Sequence, residues 1–133
     1  MNLTNLPSME YSFDLKVKGK NTGYLYEGNF VYKRLNYFAK NEAAKYTTQI
    51  SGDLTNLDLN IQNINFILGI LRLGLTEFPE WWEDSNFGLD LYDDNIISKI
   101  YDKINKFEKK WHDEVWAKEP QKPKIKDEKT PKE

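Results

Sequence analysis

The residues able to carry chemistry are few, and their spacing suits none of the common reactions. His112 is the sole histidine, and no cysteine occurs. A histidine base needs an orienting acid and a nucleophile close in space. Asp113 and Glu114 follow His112 directly, but adjacent helical positions do not face each other. A solvent-facing histidine is therefore expected. The lack of cysteine removes a disulfide framework, a thiolate zinc site and a thiol nucleophile. Asp90, Asp93, Asp94 and Asn95 form the densest acidic cluster. A calcium loop wants alternating oxygen ligands, a central glycine and a distal glutamate, and this cluster lacks that order. Acids at a helix start suit the positive end of the dipole, so the cluster reads as a helix cap. Asn21, Gly23 and Gly28 do not lead into the Gly-Lys-Ser/Thr ending of a phosphate loop. No Gly-x-Ser-x-Gly elbow is present. Lys33 and Arg34 are adjacent cations, fewer than a nucleic-acid surface interleaved with stacking aromatics requires. The sequence thus predicts no catalytic residue, no metal and no cofactor, and a chain that is not an enzyme.

Trp81-Trp82 is the most informative local feature. Pro79 stiffens the approach and acids flank the pair. Consecutive side chains rarely point the same way. Two readings follow: one indole closes the core while the other lies outside, or the outer indole anchors a partner within a polar rim. The contact candidates are Trp81, Trp82, Leu71 and Leu75, with Phe78 close by, each acting as an apolar anchor.

The elements that must position these residues are legible from periodicity. Residues 1–10 read as a flexible leader. Tyr11, Phe13, Leu15 and Val17 alternate with polar residues, the period of a half-buried strand. Turn chemistry at 18–23 leads to a second strand, so 11–32 reads as an antiparallel hairpin. Gly28 suggests a bulge or twist in it. Leu35, Phe38, Ala39, Ala43, Tyr46 and Ile50 then recur at helical spacing, giving a first helix over about 34–50 that ends at Gly52. A second helix, about 59–75, carries Ile61, Ile64, Leu68, Leu71 and Leu75 in one stripe. Phe66, Ile67, Ile70 and Leu73 widen that stripe around most of the circumference, so this helix belongs at the centre of the core. The segment 53–59 leaves room for a short extra strand. An acidic, aromatic connector over 80–92 leads to a third helix, about 94–116, capped by Asp93 or Asp94. Residues 118–133 hold three prolines, six lysines, four acids and one large apolar residue, Ile125. That composition cannot bury enough surface to offset its ordering entropy, so a disordered tail is expected.

The length favours one domain. The fold class is α+β: an N-terminal hairpin packed on a three-helix, mainly α domain over 11–117. A formal net charge of −2 gives no pull toward nucleic acid or an anionic membrane. The longest apolar stretch, 66–75, falls short of the ~20 residues a membrane span needs. The start of the chain lacks the pattern of a secretory signal, and the absence of cysteine fits a reducing compartment. Aromatics at 14% exceed what a minimal core requires, which points to partner contact. The reading is a small soluble protein that works by binding other proteins.

Several short motifs occur in a suggestive order. Tyr24-Leu-Tyr-Glu-Gly28-Asn-Phe30-Val-Tyr-Lys33-Arg34-Leu35 leads into the first helix. Pro79-Glu-Trp81-Trp82 follows the long apolar helix. Gly88-Leu-Asp-Leu-Tyr-Asp-Asp-Asn95-Ile-Ile comes next, then Ile100-Tyr101, Glu108-Lys-Lys-Trp111 and Val115-Trp116. Over about 24–116 the chain resembles the tail assembly chaperones of long-tailed bacteriophages; the Lys/Pro-rich tail has no counterpart. The resemblance implies a small, mostly helical protein in the host bacterial cytoplasm. It would coat the aggregation-prone tape measure protein, keep it soluble until the tube polymerises, and be absent from the virion. Some such chaperones have a frameshifted longer form that contacts tail tube subunits. Self-association along a long client is a further expectation, through groove contacts and exposed hairpin edges. No catalytic residues carry over. The alternative reading is a structural virion component, such as a neck or tail-completion protein.

Overall fold

The computed structural model describes residues 6–52 and 58–118. Strands β1 (Glu10–Lys18) and β2 (Leu25–Lys33) form the expected antiparallel hairpin, with Phe13 opposite Phe30 and Leu15 opposite Gly28. Helix α1 (Tyr37–Ser51) follows, then α2 (Leu59–Gly74), strand β3 (Leu75–Glu77), the short helix α3 (Glu80–Asp84) and the long helix α4 (Asp94–Trp116). The sheet order is β1-β2-β3, all antiparallel. This is an α+β fold.

Alternation in β1 turns Phe13 and Leu15 to the interior and leaves Ser12, Asp14 and Lys16 in solvent. Phe30 and Tyr32 join them from β2. Leu68, Leu71 and Leu75 cover this layer from α2 and its exit, Trp82 from α3, and Ile96, Ile97, Ile100 and Ile104 from α4. The four isoleucines recur at one- to four-residue steps and form the buried stripe of α4. Each large apolar side chain so buried stabilises the fold by about 1.5–3 kcal/mol.

Several elements differ from the sequence expectation. Helix α1 starts at Tyr37, not near Arg34, because β2 runs on through Lys33 and the Asn36 side chain accepts from Ala39 N at 2.9 Å as the N-cap. The extra strand is β3. Leu75 still donates its amide to Leu71 O while it begins β3, so helix and strand share that residue. The ladder keeps register through Gly28, and the irregularity lies between Val31 and Tyr32, opposite β3. The segment 53–57, where the sequence leaves room for a strand, lies outside the described residues. Part of the expected leader is tied down: Met9 O accepts from Arg34 N, and Pro7 O from the Trp111 indole. The rest of it, 1–5, and the expected disordered tail, 119–133, lie outside the described residues.

The connector before α4 is a structured turn. Asn86, Phe87 and Gly88 take φ of 56°, 56° and 92°. Left-handed backbone costs a residue with a side chain about 1–2 kcal/mol. Phe87 offsets this by lying 3.9 Å beneath the Arg72 guanidinium and edge-on to Phe78. At Gly88 a Cβ would sit 2.7 Å from the Trp82 ring. Glycine there satisfies both the left-handed backbone and the approach of the indole. No helix among the described residues is long and apolar enough to cross a membrane.

Candidate functional site

Three of the five expected contact residues are interior. Trp82 is 1% exposed, Leu71 1% and Leu75 6%. Their expected role as surface anchors is corrected on this ground: they hold the sheet, α2 and α3 together. Trp81 is half-buried. It donates its indole N–H to Glu27 O at 2.8 Å and meets Tyr26, Phe30 and Trp82 edge-on. Phe78 is also half-buried, against Phe87. The inner indole is Trp82. The outer one is engaged by β2, so it presents an indole edge and no free anchor.

The acidic cluster is likewise structural. Asp93 is fully buried at the start of α4. It occupies the N-cap position expected of it, but its carboxylate makes no cap bond to its own helix. It reaches back to the β1–β2 turn instead. Asn21 N and Thr22 N donate to Oδ1 at 2.6 and 3.0 Å, and the Thr22 and Tyr26 hydroxyls donate to Oδ2 at 2.5 and 3.0 Å. Burial pushes the carboxyl pKa up, but these four donors outweigh it and hold the value below the ordinary 3.8. Asn95 adds a second clasp, accepting from Lys20 N and donating to Lys18 O. His112 is exposed, 3.9 Å from the neighbouring Asp113 carboxylate. Among the described residues no three His, Cys, Asp or Glu side chains are grouped to hold a metal ion.

A concave feature lies elsewhere among the described residues. A cleft of about 550 Å³ opens between α1 and α4. Helix α1 makes its main contact with α2 alone, and α4 packs on α2 and β1. The first and last helices therefore stand apart, with α2 between them. Small residues set this geometry. A Cβ at Gly69 would sit 2.6 Å from Ala43 O and overlap Thr47 Oγ1. Gly69 thus lets α1 seat directly on the α2 backbone, where the Thr47 hydroxyl donates to Asn65 O at 3.1 Å. Phe66 and Ile70 of α2 form the floor of the cleft. Lys40, Ala44, Thr47 and Thr48 line it from α1, and Tyr101, Ile104, Asn105 and Glu108 from α4. Phe66 is 56% exposed although it faces a concavity.

One end of the cleft is polar and rigid. The Tyr32 hydroxyl donates to Glu108 Oε2 at 2.6 Å, and Arg34 Nε donates to Oε1 at 2.7 Å. The Arg34 guanidinium lies 3.7 Å over the Trp111 ring. Burial, and then the bond to Glu108, raise the Tyr32 pKa strongly, so its hydroxyl stays a donor. Both Glu108 oxygens are occupied. The sequence marked Arg34 as half of a small basic patch and Phe66 as part of an overly wide apolar stripe. It gave no sign that the two share a cleft, because that depends on how α1 and α4 splay. Tyr101, Ile104 and Glu108 stand at i, i+3 and i+7 on α4, a signal that identifies one face but not what it faces.

The arrangement offers an apolar floor, mixed walls with several small side chains, one neutralised acid and fixed hydrogen-bonding groups, which suits binding of a segment with an apolar stripe. Compared with models of known families, with curated proteins and with solved structures, the chain matches none.

Proposed function

We propose that this chain is a non-enzymatic assembly chaperone of long-tailed phages. In the host bacterial cytoplasm it shields an apolar stretch of the tape measure protein within the α1–α4 cleft. The observation that carries the reading is the cleft itself: concave, lined largely by apolar and small side chains, with Phe66 left half in solvent. Exposed apolar surface in a concavity is where soluble proteins bind others. The ordered motifs over 24–116 supply the client's identity. The contact set moves from the tryptophan pair to the cleft walls.

Co-expression with tape measure fragments tests the reading. The wild-type chain keeps a fragment soluble and co-purifies with it. Phe66→Asp, at an exposed position, leaves the fold intact and abolishes both effects. Failure to co-purify with any fragment covering the client overturns the proposal. Stoichiometric persistence of the chain in purified particles also overturns it, in favour of a structural virion component.

A further inference from the structure

The walls of the cleft specify the shape and charge of what fills it. On α1 the lining residues Lys40, Ala44, Thr47 and Thr48 step by four, three and one. Tyr37, 81% exposed, precedes Lys40 by three and continues the same stripe. On α4 the spacing from Tyr101 to Glu108 is one full heptad. At 1.5 Å per residue the α1 wall from Tyr37 to Thr48 runs about 16 Å, or three turns. Two helical walls over a helical floor leave the fourth position of a four-helix arrangement, a slot that accepts a cylinder about 10 Å across. A strand is a poor occupant. The sheet contributes Tyr32 from β2, its central strand, and the free edges belong to β1 and β3. The small side chains of Ala44, Thr47 and Thr48 let another helix approach α1 closely.

Charge is one-sided. Glu108 is the only acid in the lining, and it is already bound twice. The two cations of the lining have unused capacity. Lys40 forms no ion pair among the described residues. Arg34 engages Glu108 through Nε, and its terminal amino groups take no acceptor among the described residues. Trp111 and Glu108 hold that guanidinium flat, a preorganised fork suited to a carboxylate.

We infer that the cleft binds an amphipathic client helix of about three turns, with acidic residues flanking its apolar stripe. The inference rests on the reading above that the cleft holds a client, and adds its conformation and charge. Two designed helical peptides, each about four turns long, test it against the full chain. They share one apolar stripe and differ only in whether glutamate or lysine flanks it. Fluorescence anisotropy at low salt gives the affinities, and amide chemical shifts locate the site. The acidic peptide binds about tenfold tighter than the basic one, as two opposite-charge contacts predict. Lys40→Glu narrows or inverts that ratio. Ala44→Trp, at an exposed position, fills the slot and blocks binding while its circular dichroism matches wild type. Equal affinity for the two peptides, shifts that avoid α1 and α4, or unaltered binding by Ala44→Trp overturns the inference. So does a concentration-dependent dimer that Ala44→Trp abolishes, which would make a second copy the occupant. If tape measure fragments still co-purify while the peptides fail to discriminate, this inference falls and the chaperone reading stands.

Discussion

At the scale of single residues, Asp93 and the tryptophan pair show how local chemistry decides position. Asp93 ties the β1–β2 turn to the start of α4 through four donors to one buried carboxylate. Its pKa in the folded chain lies below the ordinary value. The carboxylate's contribution is therefore complete above about pH 4 and is lost as pH falls through the ordinary range toward the folded-state value. Thermal melts at stepped pH check this. Wild type loses stability below about pH 4 more steeply than Asp93→Asn, which starts lower at neutral pH and responds less. Equal slopes would place the acid sensitivity elsewhere. The indoles divide differently. Trp82→Ala opens a cavity in the interior and costs about 3–5 kcal/mol. Trp81→Phe keeps most of its ring contacts and gives up the bond to Glu27 O, a loss of about 1 kcal/mol. Denaturant titrations of the two variants should differ accordingly. Had both indoles been surface anchors, both substitutions would cost little.

Between elements, the decisive contact is α1 on α2, and there two effects oppose. Gly69→Ala improves helix propensity by about 1 kcal/mol. The added methyl, however, meets Ala43 O, a backbone atom that cannot rotate away, and displaces the Thr47 hydroxyl from Asn65 O. Overpacking of this kind costs about 1–3 kcal/mol. The expected outcome is a net loss of stability in urea titration, together with weaker client binding as α1 lifts and the cleft widens. A stabilised Gly69→Ala variant would show that α1 sits on α2 more loosely than the structure has it. This contact also marks where sequence reading reaches its limit. The alternation of Tyr11 to Val17 and the isoleucine stripe of α4 announce their elements because each repeats over several periods. Strand β3 has three residues and no period to repeat. The burial of Trp82 follows from the left-handed turn at 86–88, which curls the chain over the indole. The cleft is a property of the angle between α1 and α4, and no run of residues encodes that angle locally. The apolar excess on α2 was visible as excess. Its destination was not, because Leu71 and Phe66 carry the same pattern and differ only in which neighbour lies opposite.

For the molecule as a whole, the layers are unequal. The sheet, α2, α3 and α4 share one interior, whereas among the described residues α1 buries only Ala43 fully, sets Tyr46 and Ile50 partly buried against the core, and leans mainly on α2. Parts with few buried apolar contacts open below the global unfolding free energy. Amides of α1 should therefore exchange with solvent through an opening at least about 2 kcal/mol easier than that of α4. Opening of α1 removes one wall of the cleft, so it also expels whatever the cleft holds. A client present at about a hundred times its Kd should then raise the α1 opening free energy by about 2.7 kcal/mol, which slows exchange there roughly a hundredfold. The β1–β2 turn, distant in sequence and held by Asp93, gives the internal comparison. If the client seated on α3 and the tryptophan pair instead, α1 could still open with the client in place. Its exchange would stay at the free-chain rate while amides around Trp81 slowed. Hydrogen exchange with and without the client therefore separates the two surfaces in one measurement, and a slowed α1 is the outcome that the splayed-helix architecture requires.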